Sequence, residues 1–177
     1  MIYTMNPLVS IILGSDSDLA VMQETTKALN EFSVSNEILI ISAHRNPEGL
    51  AKHVKQAQSN GTKVFIAAAG GAAHLPGVIA AMTTLPVIGV PIKTKTLEGM
   101  DSLLSIVQMP SGVPVATVAI NGARNAGILA MEILAISDDN LSIKLSEFKQ
   151  SLRESVEKKS NTLQKIGISK YLEEKNK

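Results

Sequence analysis

Ile38-Leu39-Ile40-Ile41-Ser42-Ala43-His44-Arg45-Asn46-Pro47 is the stretch on which the reading of the fold turns. An unbroken apolar run passes directly into a polar turn that sets an imidazole beside a guanidinium. Asn46 is a good helix cap, and Pro47 suits the first helical turn, where its missing N–H costs nothing. The stretch therefore reads as a buried strand handing over to a helix. In open α/β sheets, ligands bind at that carboxyl edge of the strands.

The same handover recurs on both sides. Leu8–Leu13 is an apolar run ending at Gly14, followed by a helical pattern over Asp16–Phe32 with Leu19, Met22, Thr26 and Leu29 on one face. The second strand is expected over Glu37–Ile41, with its helix running from Asn46 to about Asn60. Lys63–Ala69 is the third strand, followed by a helix from Leu75 to Thr83. Pro86–Val90 is the fourth, bounded by Pro86 and Pro91, and Val113–Ile120 is the fifth. Ile92–Gly99 is polar and reads as a loop or lid, and Met100–Gln108 as a short helix. Asn121–Ile136 and Leu141–Lys165 are helical patterns, the latter with Leu141, Leu145, Phe148, Leu152 and Val156 at helical spacing. Strands alternating with helices imply a parallel sheet covered on both faces. The expectation is one three-layer α/β domain over 7–165, including a C-terminal helical extension, with 166–177 as a flexible tail.

Composition narrows the function. The 177 residues are 45% hydrophobic but only 3% aromatic, so Ile, Leu, Val, Ala and Met must fill the core. A mean hydropathy of +0.16 implies more buried surface than a monomer needs. The net charge of +1 and the lack of stacking aromatics argue against nucleic-acid binding. Cys is absent, which removes disulfides and thiolate metal sites. Met1–Pro7 has no basic leader region and no run approaches a membrane span, so the expected location is the cytoplasm. Residues 141–177 are basic, which a solvated helix explains; docking on a neighbouring subunit is the alternative.

Three turns carry the candidate chemistry. Gly14-Ser15-Asp16-Ser17-Asp18 offers N–H groups at a helix start and carboxylates for sugar hydroxyls. Ordinary capping explains one or two of its polar side chains but not four in a row. His44 can move a proton near neutrality, and Arg45 can grip a phosphate with two parallel bonds, although a surface ion pair would also explain Arg45. Gly70-Gly71-Ala72-Ala73-His74-Leu75-Pro76-Gly77 is nearly free of bulk, so backbone can approach a ligand closely. His53 reads as a surface residue. No Gly-x-Gly-x-x-Gly or Walker loop is present, and no pair of histidines has zinc-binding spacing.

Together these segments resemble the class I bacterial N5-carboxyaminoimidazole ribonucleotide mutases of purine biosynthesis, also described as the catalytic subunit of phosphoribosylaminoimidazole carboxylase. The resemblance rests on Gly14-Ser15-x-Ser17-Asp18 with Met22, Ser42-Ala43-His44-Arg45-x-Pro47, Gly70–Gly77, Gly89-Val90-Pro91 and Asp101–Pro110, in order, from about Val9 to Ile136. It implies a flavodoxin-like fold, no metal, no cofactor and a homo-octamer whose sites include residues of neighbouring subunits. It also implies transfer of a carboxylate from the exocyclic nitrogen to C4 of an aminoimidazole ribonucleotide. His44 would be the proton-transfer residue. Ser15, Ser17, Asp18 and Arg45 would bind the nucleotide, Arg45 at the phosphate and Asp18 at the ribose. Ser42 and Ala43 would line the base, and Gly70, Gly71, Ala72, His74 and Leu75 would wall the carboxylate pocket. Brief contact with the upstream ATP-dependent carboxylating enzyme follows from the substrate's instability.

The tail beyond Asp138 matches the family only loosely, and the chain departs from it at three further places. Ala68 stands where Gly is frequent, Leu19 replaces a common Trp, and Asn121–Asn125 is about two residues short of the usual Gly-rich stretch. The nearest rival is the class II enzyme, which carboxylates aminoimidazole ribonucleotide with CO2 directly and typically carries Lys where this chain has Arg45. A nicotinate-nucleotide carboxylase would need a longer chain. A flavin carrier would need aromatics, and a phospho-receiver would need an Asp after its third strand, where this chain has Ala and Gly.

Overall fold

The computed structural model describes residues 6–175. Five parallel strands form one sheet in the order β2-β1-β3-β4-β5: β1 Val9–Leu13, β2 Asn36–Ile40, β3 Val64–Gly70, β4 Val87–Ile92 and β5 Ala116–Thr117. This is the doubly wound, flavodoxin-like order, and its switch point lies between β1 and β3. Those two strands are central and buried, as their continuous apolar sequences require. β2 is an edge strand, and its Ile38 and Ile40 are exposed.

Alternation of side chains along each strand divides the core into two layers. Ile12, Phe65, Ala67, Ala69 and Val87 face helices α2 (Pro47–Ser59), α3 (Leu75–Ala80) and α4 (Met100–Val107), meeting Leu50, Val54, Ala57, Leu75, Ile79 and Ile106. On the other face, α5 (Ala123–Leu134) lies on β3 and β4 and pairs with α1 (Leu19–Glu31). That pairing is close. A Cβ on Gly127 would lie 3.1 Å from the Thr25 carbonyl oxygen and 3.2 Å from Ala28 Cβ. The Thr25 hydroxyl donates to the Ala123 carbonyl at 2.7 Å, so the polar group at the crossing is satisfied. The buried face of α1 is therefore Met22, Thr25, Ala28 and Leu29, with Leu19 exposed, rather than the expected Leu19, Met22, Thr26 and Leu29.

Several expectations are corrected. Asp16–Asp18 is a 3-10 turn preceding α1 rather than part of it. The fourth strand continues through Pro91 to Ile92. Pro91 is tolerated because it faces β5, which pairs only as far as Thr117, so its missing N–H removes no ladder bond. The fifth strand has two residues rather than eight: at its start Pro114 cannot donate and Val113 N–H turns back to the Pro110 carbonyl, and at its end Gly122 N–H turns back to the Ala119 carbonyl. His53 is not a surface residue. Its Nε2 lies 2.9 Å from the hydroxyl of Ser10, a fully buried residue of β1, and 3.5 Å from a carboxylate oxygen of Glu37.

Among the described residues, contacts divide the chain into two compact units, with the division between Ser137 and Asp138. In the second unit, Asp138 caps α6 (Asp139–Ile166) by accepting from Leu141 N–H at 3.0 Å. Gly167, at φ +79°, ends that helix, and Ile168–Lys175 forms α7 within the stretch expected as a flexible tail. Among the described residues, no helix is long and apolar enough to cross a membrane.

Candidate active site

A cavity of about 630 Å³ opens at the carboxyl ends of four adjacent strands. The turn after β1 contributes Ser15, Ser17 and Asp18, and the turn after β2 contributes Ser42, Ala43, His44 and Arg45. The turn after β3 contributes Gly70, Gly71, Ala72, His74 and Leu75. Every contact residue expected from sequence thus lines one space. Ile92, Lys93 and Thr94, at the end of β4, also line it and were not among them. Their signal was the one used for the other turns, a polar segment directly after an apolar strand.

The β1 turn is held by its own side chains. Ser15 Oγ accepts from Ser17 N–H at 3.3 Å and donates to Asp16 at 3.1 Å. Ser17 Oγ donates to Asp18 Oδ1 at 3.0 Å. Capping thus occupies Ser15 but leaves the Asp18 carboxylate unexplained, although Asp18 is only 6% exposed. Burial raises its pKa above the ordinary carboxylate value. Bonds from the Ser17 hydroxyl and the Ser15 backbone oppose the rise, and the nearby charge of Asp16 adds to it. A buried carboxylate retained at that cost in a cavity is suited to accept ligand hydroxyls.

In the β2 turn, Asn46 Oδ1 accepts from Gly49 N–H at 3.0 Å and starts α2. A Cβ at Gly49 would meet the Asn46 side chain, so a larger residue there would displace the cap. Arg45 folds toward the β1 turn and donates from Nη2 to the Gly14 carbonyl at 3.2 Å. A guanidinium carries five N–H donors, so this single bond braces two turns while leaving an anion-binding fork at the cavity. His44 Nε2 lies 2.7 Å from His74 Nδ1, joining the second turn to the third.

The Gly-rich wall is fixed from behind. Gly71 adopts φ +65°, a conformation that suits glycine. Its N–H donates to Ser102 Oγ at 2.9 Å, and the same hydroxyl donates to the Ile92 carbonyl at 2.7 Å. Ser102 is wholly buried in α4 and ties the third turn to the end of β4. Ser105 Oγ reaches the Gly71 carbonyl at 3.3 Å. Thr94 Oγ1 bonds to the Asp101 carboxylate at 2.9 Å, Lys93 N–H donates to Asn121 Oδ1 at 2.9 Å, and the Lys93 ammonium pairs with Glu98. Ser102 and Asn121 are supports that sequence reasoning did not assign. Among the described residues, no group of three or more His, Asp or Glu side chains is placed to hold a metal ion.

Comparison with known proteins bears on the fold and the family. The family model described as AIR carboxylase matches residues 8–155. The N5-carboxyaminoimidazole ribonucleotide mutase of Pyrococcus horikoshii is 56% identical over 168 residues, covering 95% of each chain. That of Thermotoga maritima is 54% identical over 169 residues, covering 96% of this chain and 99% of its own. The crystal structure of Treponema denticola PurE superposes with a TM-score of 0.82 at 26% identity, covering 89% of this chain and 98% of that one.

Proposed function

The chain belongs to the AIR carboxylase family, and on that footing we propose that it is an N5-carboxyaminoimidazole ribonucleotide mutase acting in purine biosynthesis. The observation that carries this reading is the near-full-length identity with mutases, which spans all four turns of the cavity. The reaction is an intramolecular rearrangement. The carbamate loses CO2 as its nitrogen is protonated, and C4 of the electron-rich aminoimidazole then attacks the same CO2. Loss of the C4 proton restores aromaticity, so no proton is gained or lost overall.

The residues divide this work. Arg45 holds the phosphate, together with N–H groups of the β1 turn, and Asp18 holds ribose hydroxyls beside Ser15 and Ser17. Ser42 and Ala43 line the base. Gly70–Ala72 and Leu75 form a close wall that keeps CO2 beside C4, turning a bimolecular recapture into a unimolecular step. His44 carries the proton, a role worth about 10²–10⁴-fold. Direct carboxylation of aminoimidazole ribonucleotide by CO2 is the alternative chemistry for such a cavity, and the identity with mutases does not favour it.

Self-association, as a homo-octamer in the cytoplasm, completes the proposal. Its support is the exposed apolar row Met100, Leu104 and Val107 on α4, with Leu97 beside it. The lability of the carbamate supports brief contact with the ATP-dependent enzyme that makes it. The test is a paired turnover assay, with N5-carboxyaminoimidazole ribonucleotide in one arm and aminoimidazole ribonucleotide with bicarbonate in the other. Rapid product in the first arm alone supports the mutase, and the reverse pattern supports direct carboxylation. Sedimentation of the same preparation tests the octamer, which an active monomer would contradict.

A further inference from the structure

The cavity is lined by one Arg and one Lys, and the proposed chemistry uses only the Arg. Arg45 reaches over the end of β1, where its Nη2 donates to the Gly14 carbonyl at 3.2 Å. Lys93 follows directly on β4, which ends at Ile92. β3 stands between β1 and β4, so two strand spacings, about 10 Å, separate the two cations along the mouth of the cavity. That is the reach of an extended ribonucleotide from its 5′ phosphate to its base. Lys93 also adjoins the Gly-rich wall: Gly70 pairs with Ile92, and a Cβ on Gly70 would lie 3.7 Å from Thr94 Cγ2. The second cation therefore stands at the end of the cavity where the mutase reading puts the transferred carboxylate.

The backbone of Lys93 is pinned. Its N–H donates to Asn121 Oδ1 at 2.9 Å, and the neighbouring Thr94 hydroxyl is tied to the Asp101 carboxylate at 2.9 and 3.1 Å. The ammonium, in contrast, rests on the carboxylate of Glu98, a residue that does not line the cavity. Glu98 and Gly99 both have positive φ, +54° and +94°, which turns the segment back toward the end of β4. The Lys93 and Glu98 side chains are 54% and 67% exposed, and an ion pair so open to water is worth little. A ligand carboxylate at the Gly-rich wall therefore takes the ammonium from Glu98 at small cost. We propose that Lys93 anchors the carboxylate of the bound nucleotide, its ammonium exchanging Glu98 for that group. This rests on the mutase reading. The carbamate and the C4 product both carry the carboxylate and aminoimidazole ribonucleotide does not, so Lys93 makes the cavity favour the carboxylated nucleotides. The exchange moves no proton and breaks no covalent bond, and the released Glu98 carboxylate is taken up by water.

The test uses the full chain as wild type, Lys93→Met, Glu98→Gln and the double variant. Met keeps the length of the stem and removes the charge; Gln keeps the shape of Glu98 and removes its hold on the ammonium. Calorimetry measures affinity for 4-carboxy-5-aminoimidazole ribonucleotide and for aminoimidazole ribonucleotide, which share phosphate and ribose and differ in one carboxylate. The readout is the ratio of the two affinities. Lys93→Met is expected to lower the preference for the carboxylated ligand about fivefold or more, with affinity for aminoimidazole ribonucleotide held within about twofold. Glu98→Gln is expected to raise that preference about two- to fivefold, and only while Lys93 is present. An unchanged ratio in Lys93→Met would overturn the proposal, and equal weakening of both ligands would do so by moving Lys93 to the phosphate they share. A Glu98→Gln protein with the wild-type ratio, or a Glu98→Gln effect that persists in the double variant, would overturn the exchange. Turnover of N5-carboxyaminoimidazole ribonucleotide by wild type is followed in parallel. If wild type fails to turn over the carbamate, the mutase reading falls by itself, and the affinity ratios still decide whether Lys93 holds a ligand carboxylate; binding of neither nucleotide overturns both.

Discussion

Replacing Ser102 by Ala removes one oxygen that serves two backbone groups. The Ser102 hydroxyl accepts from Gly71 N–H at 2.9 Å and donates to the Ile92 carbonyl at 2.7 Å. Ser102 has no exposed surface and Ile92 is 8% exposed, so water cannot readily replace the bond to the Ile92 carbonyl. An orphaned buried carbonyl costs about 1–3 kcal/mol, and the lost bond to the better-hydrated Gly71 N–H about 1 kcal/mol more. The expected destabilisation is about 2–4 kcal/mol, read as a lower denaturant midpoint at fixed protein concentration and unchanged slope. Because Gly71 lines the cavity and is proposed as part of the wall that holds CO2, kcat should fall with stability while affinity for a nucleotide product stays within about threefold. Ser105→Ala is the internal comparison, since its bond to the Gly71 carbonyl is a longer 3.3 Å and its 2.7 Å bond stays within its own helix. It should cost no more than about 1 kcal/mol. A Ser102→Ala protein with wild-type midpoint and kcat would refute the claim that this hydroxyl fixes the wall.

His44→Asn should keep nucleotide binding, measured by calorimetry with a product analogue, and lose turnover by about 10²–10⁴-fold. Arg45→Ala should weaken phosphate-bearing ligands by about ten- to a hundredfold, the worth of a charged hydrogen bond, and leave nucleoside binding within about twofold; equal losses would reject Arg45 as the phosphate anchor. Asp18→Asn should stabilise the fold at neutral pH while weakening ribose binding. Burial raises the Asp18 pKa, so the unfolded chain ionises first and wild-type stability falls as pH rises from 3.8 through the raised value. The advantage of Asp18→Asn should therefore appear as pH rises through that window and hold constant above it; an advantage that shrinks with rising pH would reverse the sign.

The first four strands and their turns were legible because each is an apolar run closed by Gly, Pro or a polar turn, a pattern complete within a few residues. Three of the four turns that line the cavity could be read in the same way. What escaped depended on distant partners. The buried face of α1 is chosen by Gly127, which brings Thr25 and Ala28 into contact with a helix nearly a hundred residues later. His53 is flanked by Lys52 and Lys55 and looks solvated, yet its partner is a serine of the central sheet. Ser102 is one of two serines in α4, and nothing nearby in sequence marks it rather than Ser105 as the joint between Gly71 and Ile92. The fifth strand was over-read because hydrophobicity alone registers neither Pro114 at its start nor the turn from Ala119 to Gly122 at its end.

Helix α4 has two working sides. Inward, Ser102 and Ile106 are buried against the Gly-rich turn and the sheet; outward, Met100, Leu104 and Val107 stand exposed along one row. A helix is only about 10–12 Å across, and its close-packed inner face gives it little room to yield. Pressure applied to the outer row therefore arrives at the Gly71 amide as a displacement of the same rigid lever. The proposed assembly and the proposed catalysis would then be adjustable through one part. A substitution such as Leu104→Ser, far from any ligand contact, should change subunit association and kcat in step rather than one without the other.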